Sequence, residues 1–404
     1  MLPSLYDTWV TRPRLVDPNG GLDLLSGEDL NDPVVSVLNA NLLDKIKRQA
    51  LLPSGKPSQT HPPYSYVAKY LHVFMTVSNL RGIPFTVEFG NSTYGMQTHA
   101  DRAHYTIGDL GSRASAENGW IDRDSSESLS VVDLLGAGPS VPPEWDRYGT
   151  CAPASSAFPI GLAPRHLAAP IDGYLQRSYP VTGGAYAISP SFPPDETAEF
   201  AALNVDGGLI NNNPFDYAQF TLMGDASAEK TDGAEADRAV IMVAPFPEPP
   251  AFLPKGQPIA ELLPVVRALF PALINQARFK VGELVPALDP ADHSRFLIAP
   301  HRKLDGKEER YTIACGLLGG FGGFLDEKFR AHDFQLGRRN CQAFLRSTFG
   351  VPDSNPIVAG ISGQQQFRIA PNMATGQPEK YPIIPLLGDA VGGPAAILAA
   401  HELG

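Results

Sequence analysis

Apolar residues at Val34, Val35, Leu38, Leu42, Leu43 and Ile46 fall on one helical face and predict an amphipathic helix over residues 33–51. Asp32 followed by Pro33 supplies a start signal, a capping residue with proline at the first helical position. Prolines and a glycine between Leu52 and Pro63 predict a loop, after which Tyr64–Leu71 reads as the beginning of a second helix. Val73–Val77 and Phe85–Phe89 read as two strands joined through Arg81-Gly82-Ile83-Pro84. Residues 112–150 turn polar and small and predict a long loop insertion. Phe200–Val205 is a short strand leading into Asp206, and the continuous apolar run Ala239–Ala244 suits a strand buried on both faces. Beyond Pro249 the pattern is mainly helical. Residues 259–279 carry Leu262, Leu263, Val265, Val266, Leu269 and Leu273, and read as a proline-interrupted core helix. The other use of such a face is to cover a crevice or touch a lipid surface. A further helix is expected over 324–349.

Strands interleaved with helices predict an α/β fold, with a mostly parallel central sheet and helices on both faces. The expected division is an α/β core over residues 1–250 and a mainly helical extension over 251–404. At 43% hydrophobic residues the chain can bury a large core. A net charge of −11, with no basic cluster to offset it, excludes nucleic acid as a partner. Cys151, Cys315 and Cys341 are too few and too far apart for a disulfide framework or a zinc site. Residues 1–14 lack the apolar run of a secretory leader, and a cytoplasmic location is expected.

Candidate chemistry concentrates at Val205-Asp206-Gly207-Gly208-Leu209-Ile210. In open α/β sheets the functional crevice lies at the carboxyl ends of strands, so an acid there stands at its mouth. Two glycines allow a sharp turn and close approach of a neighbour. An aspartate held against a serine hydroxyl can take its proton, the role histidine plays in the commoner triad. An Asp-Gly pair by itself is a common turn, and Asp172-Gly173, Asp232-Gly233 and Asp305-Gly306 occur as well. Asp232-Gly233-Ala234 sits in a polar stretch and reads as a surface loop.

The stretch Leu203–Phe215 resembles the C-terminal signature of the patatin-like phospholipases. Ala154-Ser155-Ser156-Ala157-Phe158-Pro159 is similar to the segment preceding that signature, and Phe74–Gly82 to a strand of Thr-x-Thr/Ser-x-Leu-x-x-Gly pattern. Gly319–Gly323 and Phe329–Arg338 resemble the extension of a bacterial branch, so the likeness covers residues 1–350. It implies a three-layer α/β/α fold and a Ser-Asp dyad that hydrolyses acyl lipids. Asp206 would be the proton acceptor within the Asp206-Gly207-Gly208 motif. No cofactor or metal is implied. The implied partners are an acyl-lipid substrate and, transiently, a membrane surface.

The family's serine lies in a Gly-x-Ser-x-Gly elbow upstream of the aspartate, behind a glycine-rich oxyanion loop. Neither occurs here. Ser92, in Gly90-Asn91-Ser92-Thr93-Tyr94-Gly95, comes nearest, but its glycine is one place late and Thr93-Tyr94 is too bulky for an elbow. Ser4–Trp9 resembles the helix that follows the elbow. The resemblance therefore implies that the nucleophile lies outside this chain, on a complementing N-terminal segment, and that the 404 residues alone are inactive. The alternative is a non-catalytic relative that binds lipid or a protein partner. His99, Asp101 and His104 read as a polar surface or crevice-lining segment, and His332-Asp333 beside Arg330 as a structural ion-pair cluster.

Overall fold

A computed structural model describes residues 5–30, 33–52, 63–113, 126–177, 189–212, 214–223, 230–245, 261–278, 285–304, 306–309, 312–371 and 378–391. The chain forms two compact units, each assembled from separated segments: residues 16–226 with 259–279, and residues 1–15 with 227–258 and 280–404.

The first unit begins with helix α1, Ala40–Leu51, and strands β1 (Tyr64–Ala68), β2 (Leu71–Phe89), β3 (Ser92–Gly108), β4 (Gly111–Arg113) and β5 (Glu127–Ser130). Helices α2 (Val131–Gly136) and α3 (Pro143–Ser155) follow, then β6 (Arg165–Pro170), α4 (Ile171–Leu175), β7 (Glu199–Asp206), α5 (Phe215–Met223) and α6 (Leu262–Arg278). The central sheet has the order β5-β3-β2-β7-β6. The fold is thus mixed α/β, but the sheet is not mostly parallel. β2 pairs antiparallel with β3 and β7, β6 pairs antiparallel with β7, and only β3 and β5 run parallel. For β2 and β3 the cause is their short connection. Gly90-Asn91 closes a tight hairpin with Gly90 at φ +57°, and a hairpin forces its strands antiparallel.

Several elements differ from the sequence reading for local reasons. α1 starts at Ala40, not at Pro33, because the buried Asn39 caps it: its side chain accepts from Asn41 N at 2.8 Å and donates to Ser26 O at 3.0 Å. Tyr64–Ala68 is extended, pairing with β4, where a helix start was expected. The two expected strands over 73–89 are one long strand. Arg81-Gly82 forms a bulge in it, where Asn79 Oδ1 accepts from the Arg81 and Gly82 amides and Gly82 takes φ +83°. Of the expected 112–150 loop, residues 114–125 lie outside the described residues, while β5, α2 and the start of α3 are regular.

Helices cover both sheet faces. Trp145 and Cys151 of α3 pack with Tyr105, Ile107 and Leu129, while Tyr217 of α5 meets Phe74 and Arg102 on the alternate side. Gly149 admits α1, since a Cβ there would strike the Leu51 side chain. A second cluster joins Ile83, Phe85, Ile171, Tyr174, Phe200 and Ala202.

Asp101 and His104 are buried on β3, not on the surface: relative exposures are 6% and 7%. Asp101 is held by Arg177, by Asn79 Nδ2 at 2.9 Å, by the Tyr174 hydroxyl at 3.0 Å and by Arg102 N at 2.7 Å. Burial alone would raise this carboxyl. The Arg177 charge and these hydrogen bonds outweigh it, and the group titrates below its ordinary value. Removing Arg177 would strand a buried carboxylate, so Arg177→Ala is expected to cost about 3–5 kcal/mol in urea unfolding at neutral pH. Because the folded-state pKa is depressed, this stabilisation is present above about pH 4 and lost as pH falls through the folded value. The gap between wild type and variant should narrow on acidification; a gap independent of pH would refute the assignment.

The second unit contains β8 (Val240–Val243), paired parallel with β9 (Arg295–Ile298), and helix α7 (Glu327–Ser347). β8 is not buried on both faces. Ile241 and Val243 are exposed, while Phe296, Phe344 and Phe349 form the core beneath the pair. α7 spans most of the expected 324–349 helix and is capped by Asp326. Arg330 is buried and donates to Val10 O and Gly323 O at 2.6 and 2.5 Å. His332 contacts Asp333 at 2.8 Å, and Asp333 accepts from the Ala314 and Cys315 amides. The Asp232-Gly233 turn is more enclosed than a surface loop: Asn355, 1% exposed, donates to Gly233 O at 2.7 Å, and Gly233 is packed against Pro352 and His293.

Candidate functional site

β7 runs next to β2 with Val77 opposite Asp206, so Asp206 ends a strand in the interior of the sheet. There the chain turns into a single 3-10 turn, Gly207–Leu209, with Asp206 as its cap: Oδ1 accepts from Gly208 N at 2.8 Å. Gly207 is buried with no room for a side chain, since a Cβ would overlap the main-chain carbonyl of Thr76. The first glycine of the motif is therefore required by close approach to β2. Asp206 itself is half-buried.

Three segments meet at this residue. From Ala154–Pro159, just past the end of α3, the Ala157 carbonyl accepts from Asp206 N at 3.0 Å. From β2, the Ser78 hydroxyl donates to Asp206 O at 2.8 Å, and the Thr76 hydroxyl donates to Asn211 O at 3.1 Å. The third is the Asp206–Asn211 stretch itself, closed by Asn211 N donating to Gly207 O at 2.9 Å. Thr76, Ser78 and Ala157 were not singled out as site residues from sequence. The available signal was the i, i+2 spacing of Thr76 and Ser78, which puts both on one strand face.

Thr76 and Ser78 are 9% and 3% exposed and give their protons to main-chain carbonyls, which leaves them poorly disposed to attack a substrate. Ser92 pairs with Phe89 at the far end of the hairpin. Asp206 is opposite Val77 on the same strand, so about a dozen strand residues, roughly 30 Å or more, separate the two. The thiols are no better placed. Burial pushes Cys151 up to about 11 and Cys315 up to about 12, which keeps both protonated at neutral pH. Among the described residues no group of three or more His, Cys, Asp or Glu side chains is positioned to hold a metal ion. Among them, too, no helix is long and apolar enough to cross a membrane. The site thus offers an oriented carboxylate at a strand end beside main-chain donors and acceptors.

No family model matches the chain, and no solved structure matches it. It is 44% identical over 413 aligned residues to the uncharacterized protein y4iI of Sinorhizobium fredii (strain NBRC 101917 / NGR234). The alignment takes in 96% of this chain and 58% of that relative, so the chain spans somewhat over half the length of the protein it matches.

Proposed function

We propose that the chain is the aspartate-bearing part of a patatin-like lipid acyl hydrolase, with Asp206 as proton acceptor and the nucleophilic serine on polypeptide outside these 404 residues. One observation carries the reading. The three segments that resemble the family, Phe74–Gly82, Ala154–Pro159 and Leu203–Phe215, are far apart in sequence yet make hydrogen bonds or ladder contacts at Asp206. In the reaction, the serine hydroxyl attacks the ester carbonyl and its proton passes to the Asp206 carboxylate. The proton then goes to the departing alcohol. Water attacks the acyl-serine, giving its proton to Asp206, which passes it to the serine oxygen as the acyl–oxygen bond breaks and the fatty acid is released. The length of the relative beyond the aligned region is compatible with a nucleophile supplied elsewhere in a longer protein.

The test compares ester hydrolysis and fluorophosphonate labelling by the 404-residue chain and by the full product of its natural locus. The expected result is no turnover by the former and turnover by the latter, with the adduct on a serine outside residues 1–404. An adduct on a serine within the chain, or a natural product inert to both esters and probe, would overturn the reading. Inertness would favour the non-catalytic alternative, a protein of this fold that binds lipid or a partner.

A further inference from the structure

On the sheet face that bears Asp206, two apolar clusters are separated by a row of polar side chains. Asp101 of β3, Asn79 of β2, Asn204 of β7 and Arg165 of β6 follow one another across the strands. Tyr105, Trp145 and Met75 stand on one side of the row, and Ile83, Phe85 and Phe200 on the other. Asn79 is fully occupied: Nδ2 donates to Asp101, and Oδ1 accepts from the Arg81 and Gly82 amides. The next rung is different. Asn204 is 2% exposed and gives Nδ2 to the Ala202 carbonyl at 2.8 Å, which fixes its outer atom as the oxygen. Arg165 gives Nη2 to Asp44 of α1 at 3.1 Å. Among the described residues neither Asn204 Oδ1 nor Arg165 Nε has a hydrogen-bond partner, although both atoms are buried. The two residues are directly opposed in an antiparallel pair, so their Cβ atoms are about 5 Å apart on one face.

We propose that one buried water joins Asn204 Oδ1 to Arg165 Nε and pins the start of β6 beside Asp206. The chemistry of the two atoms selects the occupant. It must accept from an N–H and donate to an amide oxygen, and an O–H group does both at one atom. A carboxylate or phosphate has no proton to give the amide oxygen, an ammonium has no lone pair for the guanidinium, and a metal cation cannot use an N–H. Asn204 is too deeply buried for an alcohol larger than water to reach it. Leaving both atoms unbonded would instead cost the desolvation penalty of each. The position matters because Asn204 and Asp206 are two residues apart on one strand face, about 7 Å along β7. Arg165 also ends the connection that begins at Ala157, whose carbonyl holds Asp206 N. The water fixes one end of that connection and the Asp206 amide the other. Arg165 and Asn204 are therefore positioning residues for the carboxylate, whatever reaction it serves.

Two measurements test this, and neither involves turnover, so the water and the hydrolase reading fail separately. A crystal structure of the 404-residue chain at a resolution that shows waters should place one peak within about 3.2 Å of both Arg165 Nε and Asn204 Oδ1. In Arg165→Lys the ammonium still reaches Asp44, but the Nε–H is gone and the peak should be lost. The second measurement is amide hydrogen exchange. Arg165→Lys should speed exchange at the Asp206 amide by about fivefold or more. The Ile107 amide, held between β2 and β5 under the other cluster, should be unchanged. Asn204→Ala removes the acceptor and should speed the Asp206 amide as well, and the double variant should show no more than the larger single effect. A direct bond from Nε to Oδ1, or either atom bonded to another protein group, would overturn the proposal. So would Asp206 exchange that Arg165→Lys leaves unchanged, or that rises in step with Ile107 and so reports general loosening. Additive effects of the two substitutions would refute the bridge.

Discussion

Asp206→Asn in the full natural product is expected to lower ester turnover by about a thousandfold while leaving the fold intact. Asparagine keeps an oxygen that can accept from Gly208 N, so the cap on the Gly207–Leu209 turn persists. Both residues are good caps, and the change in stability should stay within a few tenths of a kcal/mol. What is lost is proton affinity: a neutral amide cannot take the serine proton. The decisive comparison is kcat against melting temperature. Unchanged kcat with unchanged melting would remove Asp206 from the chemistry, whereas parallel loss of both would make it a purely structural cap.

The neighbouring residue should behave in the opposite way. Gly207→Ala puts a methyl group into the Thr76 carbonyl, main chain against main chain, where no side-chain rotation can make room. Relief requires β7 to move off β2 at the Val77–Asp206 pair, and the expected loss is about 3 kcal/mol or more in urea unfolding. Gly95→Ala serves as control, since nothing lies within 4 Å of the position a Cβ would occupy there. Equal effects of the two substitutions would refute the close-approach account of the motif.

How much of this was legible in the sequence depended on range. β7 and α7 could be read because local signals agree: an apolar run ending at Asp206, and a helical period after Asp326. The location of the candidate acid was legible for the same reason. Less legible was anything decided by distant partners. Asp32-Pro33 looks like a helix start, yet Asn39 wins because Ser26, thirteen residues earlier, holds it in place. Arg81-Gly82 looks like a turn between strands, but the Asn79 side chain absorbs the irregularity and the strand continues. His99, Asp101 and His104 read as a polar surface or crevice-lining segment; His99 is exposed, but Asp101 and His104 are buried. Arg177, seventy-six residues away, makes the Asp101 burial tolerable. α6 misled in the other direction: its period marks an apolar face, but periodicity carries no information on what covers it.

The contacts that fix the Asp206 turn are mostly main-chain atoms: the Ala157 carbonyl, the Thr76 carbonyl against Gly207, the ladder to Val77 and the Gly207–Asn211 closure. Such a mould constrains its walls more by fit than by chemistry. Positions 77 and 157 hold the turn through main-chain atoms and could drift among apolar residues that fit their buried sites, so long as β2 stays extended and the α3 terminus stays where it is. Beside Asp206 and Gly207, only the hydroxyls of Thr76 and Ser78 are spelled out in letters. Kinship in such a protein would fade from sequence long before it faded from geometry.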